Sequence, residues 1–139
     1  MDYVNWERTL PLALTGDALW RQQAYRLSTF AVHASWSDVS KLAKDRRTVG
    51  VASQLFRAIG SVGANIAEGY SRGTGADRTR LYEYALGSAR EARHWYCGVG
   101  QVVGPSVVAE RSDLLARIIR LVLVTLPHER HRAVRRGGH

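Results

Sequence analysis

Apolar residues recur along most of this chain at intervals of three and four, the spacing that places side chains on one face of an α-helix. From Asp17 to about Ala43 the recurring set is Leu19, Trp20, Ala24, Leu27, Ala31 and Ala34, with Asp17 placed to cap its start. From Thr48 to Gly69 it is Val51, Leu55, Ile59 (or Ala58), Val62 and Ile66, and Gly69 reads as the residue that closes the helix. A third set comprises Leu81, Ala85, Ser88, Ala92, Trp95, Val99 and Val102. Thr74 caps it, Asp77 can reach back to the helix start, and Gly104-Pro105 stops it. The fourth set is Leu114, Leu115, Ile118, Leu121, Val122 and Thr125, with Ser106 as cap and Pro127 as end. No strand pair and no internal repeat interrupts this pattern.

Short polar connections between long helices imply antiparallel neighbours, so the pattern predicts an all-α, up-down-up-down four-helix bundle. Residues 1–16 form a lead-in without a clean period, residues 17–126 the bundle, and residues 127–139 a basic tail expected to be disordered. The expected core includes Leu55, Ile59, Ile66, Leu81, Trp95, Leu114 and Ile118. Gly60, Ser61, Gly63 and Ala64 weaken the second helix in isolation but admit a neighbouring backbone closely. Trp20, Tyr25, Tyr82, Tyr84, Trp95 and Tyr96 exceed what one thin bundle needs inside, so part of that surface is expected between subunits.

Composition adds boundaries. With 45% hydrophobic and 23% charged residues in 139, the chain is an ordinary globular domain. Its single cysteine, Cys97, allows no intramolecular disulfide and fits a reducing compartment; beside Trp95 and Tyr96 it reads as a small packed side chain. The first residues lack a basic segment followed by an apolar one, and Arg117 and Arg120 interrupt the apolar run from Leu114 to Leu126. A cytoplasmic protein without membrane contact is expected.

No constellation in the sequence supports catalysis. His128-Glu129-Arg130-His131 has one residue where a zinc-protease motif needs two, so no metal site is expected. Gly73-Thr74-Gly75 lacks the lysine and the preceding strand of a phosphate loop. No nucleophile, base and orienting group occur together, and no cofactor is implied.

Charge is the positive signal. The formal net charge is +8. Lys41, Lys44, Arg46 and Arg47 cluster at the first connection, Arg72, Arg78 and Arg80 at the second, and Arg90 and Arg93 extend along the third helix. Together they suit phosphate, and without a base-reading motif the binding of RNA or DNA would be directed at the backbone. Asn65 and Glu68 share a helical face. They form either a polar site with Gln54 or Ser61, or structural contacts, with Glu68 pairing Arg72; the structural reading is the stronger.

The central strings carry a resemblance. Gln54-Leu55-Phe56-Arg57-Ala58, then Ser61 through Tyr70 with the run Ala64-Asn65-Ile66-Ala67-Glu68-Gly69-Tyr70, Arg72, and later Ala85-Leu86-Gly87-Ser88 with Glu91, resemble the 23S ribosomal RNA intervening-sequence proteins, also called the four helix bundle protein family. Leu19-Trp20-Arg21-Gln22-Gln23-Ala24 is similar to that family's opening helix. The resemblance implies a left-handed four-helix bundle assembling as a homopentamer. It marks Gln54, Arg57, Asn65, Glu68, Gly69, Gly87 and Ser88 as structural motif residues, and it makes nucleic-acid binding the working activity. A related branch serves as the accessory protein of a retroelement reverse transcriptase, so a scaffold that docks such an enzyme is the alternative. Gly63, Ala92 and Arg93 depart from the family's usual residues, leaving the third helix more basic.

Overall fold

Each apolar stripe becomes helix in the computed structural model, which describes residues 1–137, with side chains through His128. Among the described residues every regular element is helical: α1 (Tyr3–Glu7), α2 (Leu12–Thr15), a 3₁₀ turn (Ala18–Arg21), α3 (Gln23–Ala43), α4 (Val49–Ser71), α5 (Gly75–Cys97), α6 (Gly100–Val103) and α7 (Pro105–Gly137).

The boundaries differ from the sequence reading in instructive places. Asp17 does cap, accepting from the Leu19 N–H at 2.9 Å, but it caps only the 3₁₀ turn, and α3 starts at Gln23. Thr74 accepts from the Asp77 N–H at 3.3 Å, as its position predicts. The third stripe is not one helix: α5 stops at Cys97, and Val102 belongs to the short α6. Gly104, with φ of 96°, makes the turn that follows. Pro105 is the first residue of α7, so Ser106 is already inside the helix and is not its cap. Pro127 does not end α7, whose backbone stays helical to Gly137. A proline's φ is helical, so the backbone can continue through it at the cost of one N–H and of crowding against the carbonyl four residues back. The tail expected to be disordered is therefore helical backbone as far as Gly137, and its side chains from Glu129 on lie outside the described residues.

Four long helices pack in a closed cycle, α3 on α4, α4 on α5, α5 on α7 and α7 on α3. Gly69 of α4 meets Tyr82 of α5, and Ser61 meets Ser88; stepping back along α4 means stepping forward along α5, so the two are antiparallel. Gly63 beside Ser28 and Phe56 beside Trp36 set α3 and α4 antiparallel in the same way. Leu42, Leu55, Ile59, Val62, Leu115, Ile118 and Leu126 are fully buried between them. Two of the expected core residues are shifted by one position. Trp95 and Leu114 only edge the core, while their neighbours Tyr96 and Leu115 are 1% and 2% exposed. A helix turns about 100° per residue, so an error of one place moves a side chain from core to flank.

The lead-in also folds. Trp6 on α1 is buried against Trp20, Phe30 and His33 at ring distances of 6.1, 5.3 and 6.0 Å. Glu7 fastens it, accepting from the Tyr3 hydroxyl at 2.6 Å and the Trp20 indole N–H at 3.0 Å. Those two bonds hold the Glu7 carboxyl below its ordinary range, while burial and then the Glu7 bond push Tyr3 up to about 12. Of the six aromatics assigned in part to subunit contacts, Trp20, Tyr82 and Tyr96 are used inside this chain, and Tyr84 is exposed.

Gly69 is a close-approach residue and not a terminator. The helix runs two residues past it, and a Cβ there would stand 2.9 Å from Tyr82 Cε1 and 3.3 Å from Leu81 Cβ. Tyr82 is itself buried and has little room to yield. Gly60 on the same helix has no neighbour within 4 Å of that position. Gly69→Ala should therefore destabilise by about 1–3 kcal/mol, whereas Gly60→Ala should stabilise by about 0.5–1 kcal/mol. Urea unfolding of both variants reads the signs; a neutral Gly69→Ala would mean that Tyr82 swings aside freely.

Candidate nucleic-acid interface

Helix direction decides which cations can act together. The α3–α4 and α4–α5 connections lie at opposite ends of α4, which is 23 residues and hence about 34 Å long. Arg46 and Arg47 are at one end; Arg72, Arg78 and Arg80 are at the other. Arg90 and Arg93 sit on the part of α5 that returns toward Arg46 and Arg47. Arg80 is about 80° round the helix from Arg90, so the three α5 arginines form a broad band and not a line.

Their partners divide them further. Arg47 is folded onto Asp45, with Nη2 to Oδ2 at 2.8 Å and Nε to Oδ1 at 3.1 Å. Those bonds hold the Asp45 carboxyl down at about 2. Arg78 is structural: its Nη1 donates to the Tyr70 carbonyl at 2.8 Å and the Arg72 carbonyl at 3.3 Å, and its guanidinium lies over the Tyr70 ring. It satisfies carbonyls that the end of α4 leaves open. Arg72 pairs with Glu68 at 3.5 Å, and Arg80 with Asp77 at 3.7 Å, both on exposed surface. Arg46, Arg90 and Arg93 are exposed and make no ion pair among the described residues.

The motif residues do not form a site. Asn65 Nδ2 donates to the Ser61 carbonyl and to Ser61 Oγ, each at 2.9 Å, and Ser88 Oγ donates to Ser61 Oγ at 2.9 Å. This chain of bonds ties α4 to α5, as a structural role requires. Glu68 points away to Arg72, and Gln54, Arg57 and Gly87 are exposed. Cys97, expected to be packed, is exposed because α5 ends there.

A model of the 23S rRNA-intervening sequence proteins matches residues 21–100. This chain belongs to that family. The match takes in α3, α4 and α5, with the Asn65–Ser61–Ser88 link and all seven arginines above, and leaves the whole of α7 outside. No curated protein and no solved structure matches the chain.

One cluster in this intervening-sequence protein escaped the sequence reading. Asp38 is 2% exposed, and its Oδ2 accepts from the Tyr96 hydroxyl at 2.6 Å and from Arg111 Nε at 2.9 Å. It joins α3, α5 and α7. Burial, and then the bond to Asp38, push the Tyr96 hydroxyl well above the ordinary tyrosine range. Burial works against the charge on Arg111, but the Asp38 carboxylate outweighs it and raises that group further. The signal was in the register: Leu27, Ala31, Ser35, Asp38 and Leu42 occupy one buried face, and Arg111 precedes Leu115 and Ile118 at core spacing. Among the described residues no helix is long and apolar enough to cross a membrane.

Proposed function

We propose that this protein is a non-catalytic, oligomeric, RNA-preferring nucleic-acid-binding protein of the cytoplasm. It is built as a left-handed up-down-up-down four-helix bundle, and the resemblance to its family makes the assembly a homopentamer. The observation that carries the reading is the set of exposed arginines without ion-pair partners among the described residues, Arg46, Arg90 and Arg93, in a chain of net charge +8. Leu123 and Val124, exposed by 41% and 67% on α7, supply apolar surface for contact between copies. Rotation about one axis repeats each basic patch and turns it into a ring of positive potential. Arg78 and Arg47, held by internal bonds, contribute less than Arg90 and Arg93.

Binding that neutralises phosphates releases counterions, so affinity must fall steeply with salt. Arg90→Gln with Arg93→Gln should weaken binding to many RNA sequences about equally. It should flatten the slope of log affinity on log salt by roughly one unit per lost contact. Anisotropy titrations of labelled RNA over a salt series, with light scattering for mass, test both parts. An intact oligomer with unchanged affinity and slope removes α5 from the binding surface.

A further inference from the structure

Trp36 is the large aromatic that the fold leaves most open, 65% exposed, whereas Trp6 and Trp20 are buried and Trp95 is partly covered. It is not loose. The ring of Phe56, on α4, meets it edge-on at 5.8 Å and 75°, which fixes its plane. Trp36 also lines an open cleft of about 500 Å³ with Phe30, His33, Ser37, Glu110 and Arg111. Cations rim this surface. Lys41 and Lys44 continue the stripe of Phe30, His33 and Ser37 one and two turns beyond Ser37, and Arg57 follows Phe56 on α4; all three are exposed and make no ion pair among the described residues. The carboxylate that lines the cleft, Glu110, is 3.7 Å from Arg111, and Asp38 is buried behind it on the same arginine at 2.9 Å.

A flat exposed ring with a fixed plane, set among unpartnered cations, has the two parts that a single-stranded nucleic acid needs: a face for a base and charges for its phosphates. A protein partner would favour the ring but not its surroundings, since the centres of protein interfaces are depleted of charge. We propose that Trp36 is a stacking platform for an unpaired base, with Lys41, Lys44 and Arg57 taking the adjoining phosphates. The inference rests on the nucleic-acid reading above and adds to it a preference for single strands: Lys41 and Lys44 belong to the basic cluster of the first connection, and Trp36 supplies the base contact that cluster lacks.

The test compares Trp36→Ala and Trp36→Phe with the parent, as full chains, against a short oligoadenylate RNA and against inorganic polyphosphate, which has the charge but no bases. The parent should bind the oligoadenylate with quenching of tryptophan fluorescence. Trp36→Ala should lose affinity for it on the order of ten-fold and lose most of the quenching. Trp36→Phe should keep most of the affinity, and polyphosphate binding should not change in either variant. Oligoadenylate affinity unchanged in Trp36→Ala, with salt-sensitive binding intact, overturns the stacking site and leaves the broader function standing. Absence of binding to either polyanion by the parent overturns both. Loss of oligomer mass in Trp36→Ala places the ring between copies of the chain and overturns the proposal.

Discussion

Replacing Arg111 with methionine should destabilise the fold by about 3 kcal/mol, lowering the melting temperature on the order of 10 °C. The reason is what remains behind. Asp38 is 3% exposed at its side chain and would keep only the Tyr96 hydroxyl as partner. Methionine fills the space of the guanidinium stem but offers no charge and no donor. The figure sits at the low end for a broken buried pair because Arg111 is itself 21% exposed, so some water can follow. Removing all three polar groups together, with Asp38→Leu, Tyr96→Phe and Arg111→Met, should recover much of the loss, since no charge is then left unpaired. Calorimetry of the single and triple variants decides between the two effects. A single variant within about 0.5 kcal/mol of the parent, the range of ordinary surface changes, would mean that Asp38 is solvated after all.

The same cluster predicts an alkaline limit. Tyr96 is raised in the folded protein, so its contribution is complete below the ordinary tyrosine range near 10 and is lost as pH climbs above it, because the unfolded chain ionises first. Tyr3, raised to about 12, adds to the same slope. Stability should therefore fall above pH ~10, and Tyr96→Phe should make that fall shallower without removing it.

Truncating Leu55 or Ile118 to alanine should each cost about 2–5 kcal/mol. Both side chains are 0% exposed, one on α4 and the other on α7, inside the cycle of four helices. The loss combines the burial of the missing carbons with the cavity left in a close-packed interior. Leu123→Ala is the matched control: at 41% exposure it should change monomer stability by less than about 0.5 kcal/mol. Guanidinium unfolding at fixed protein concentration separates the three variants. Equal losses at Leu55 and Leu123 would mean that contact between copies, and not this core, dominates the stability.

The helices and most of the core were legible because helical periodicity is local. Leu55, Ile59, Val62 and Ile66 repeat over about three turns, and no tertiary contact is needed to assign their face. Thr74 declared its cap for the same reason, since the bond it makes spans three residues. Trp6 was illegible because α1 has only five residues, too few to show a period. Gly69 was misread because a glycine at a helix end and a glycine under a neighbouring ring look alike until Tyr82 is placed.

The sequence by itself determined the all-helical class, the order of the four long helices, the family and the positive charge, all properties of short strings or of the total. The tertiary structure decided the fate of each charge. Arg78 and Arg90 are equivalent as letters, yet one closes the end of α4 and the other faces solvent with no ion pair among the described residues. Asp38 and Arg111 are 73 positions apart and meet only because α3 and α7 close the cycle. Trp36 looks like any core aromatic and stays exposed because it lies about 140° from the buried face of its helix, and a rotation of that kind acquires meaning only when the neighbours are in place.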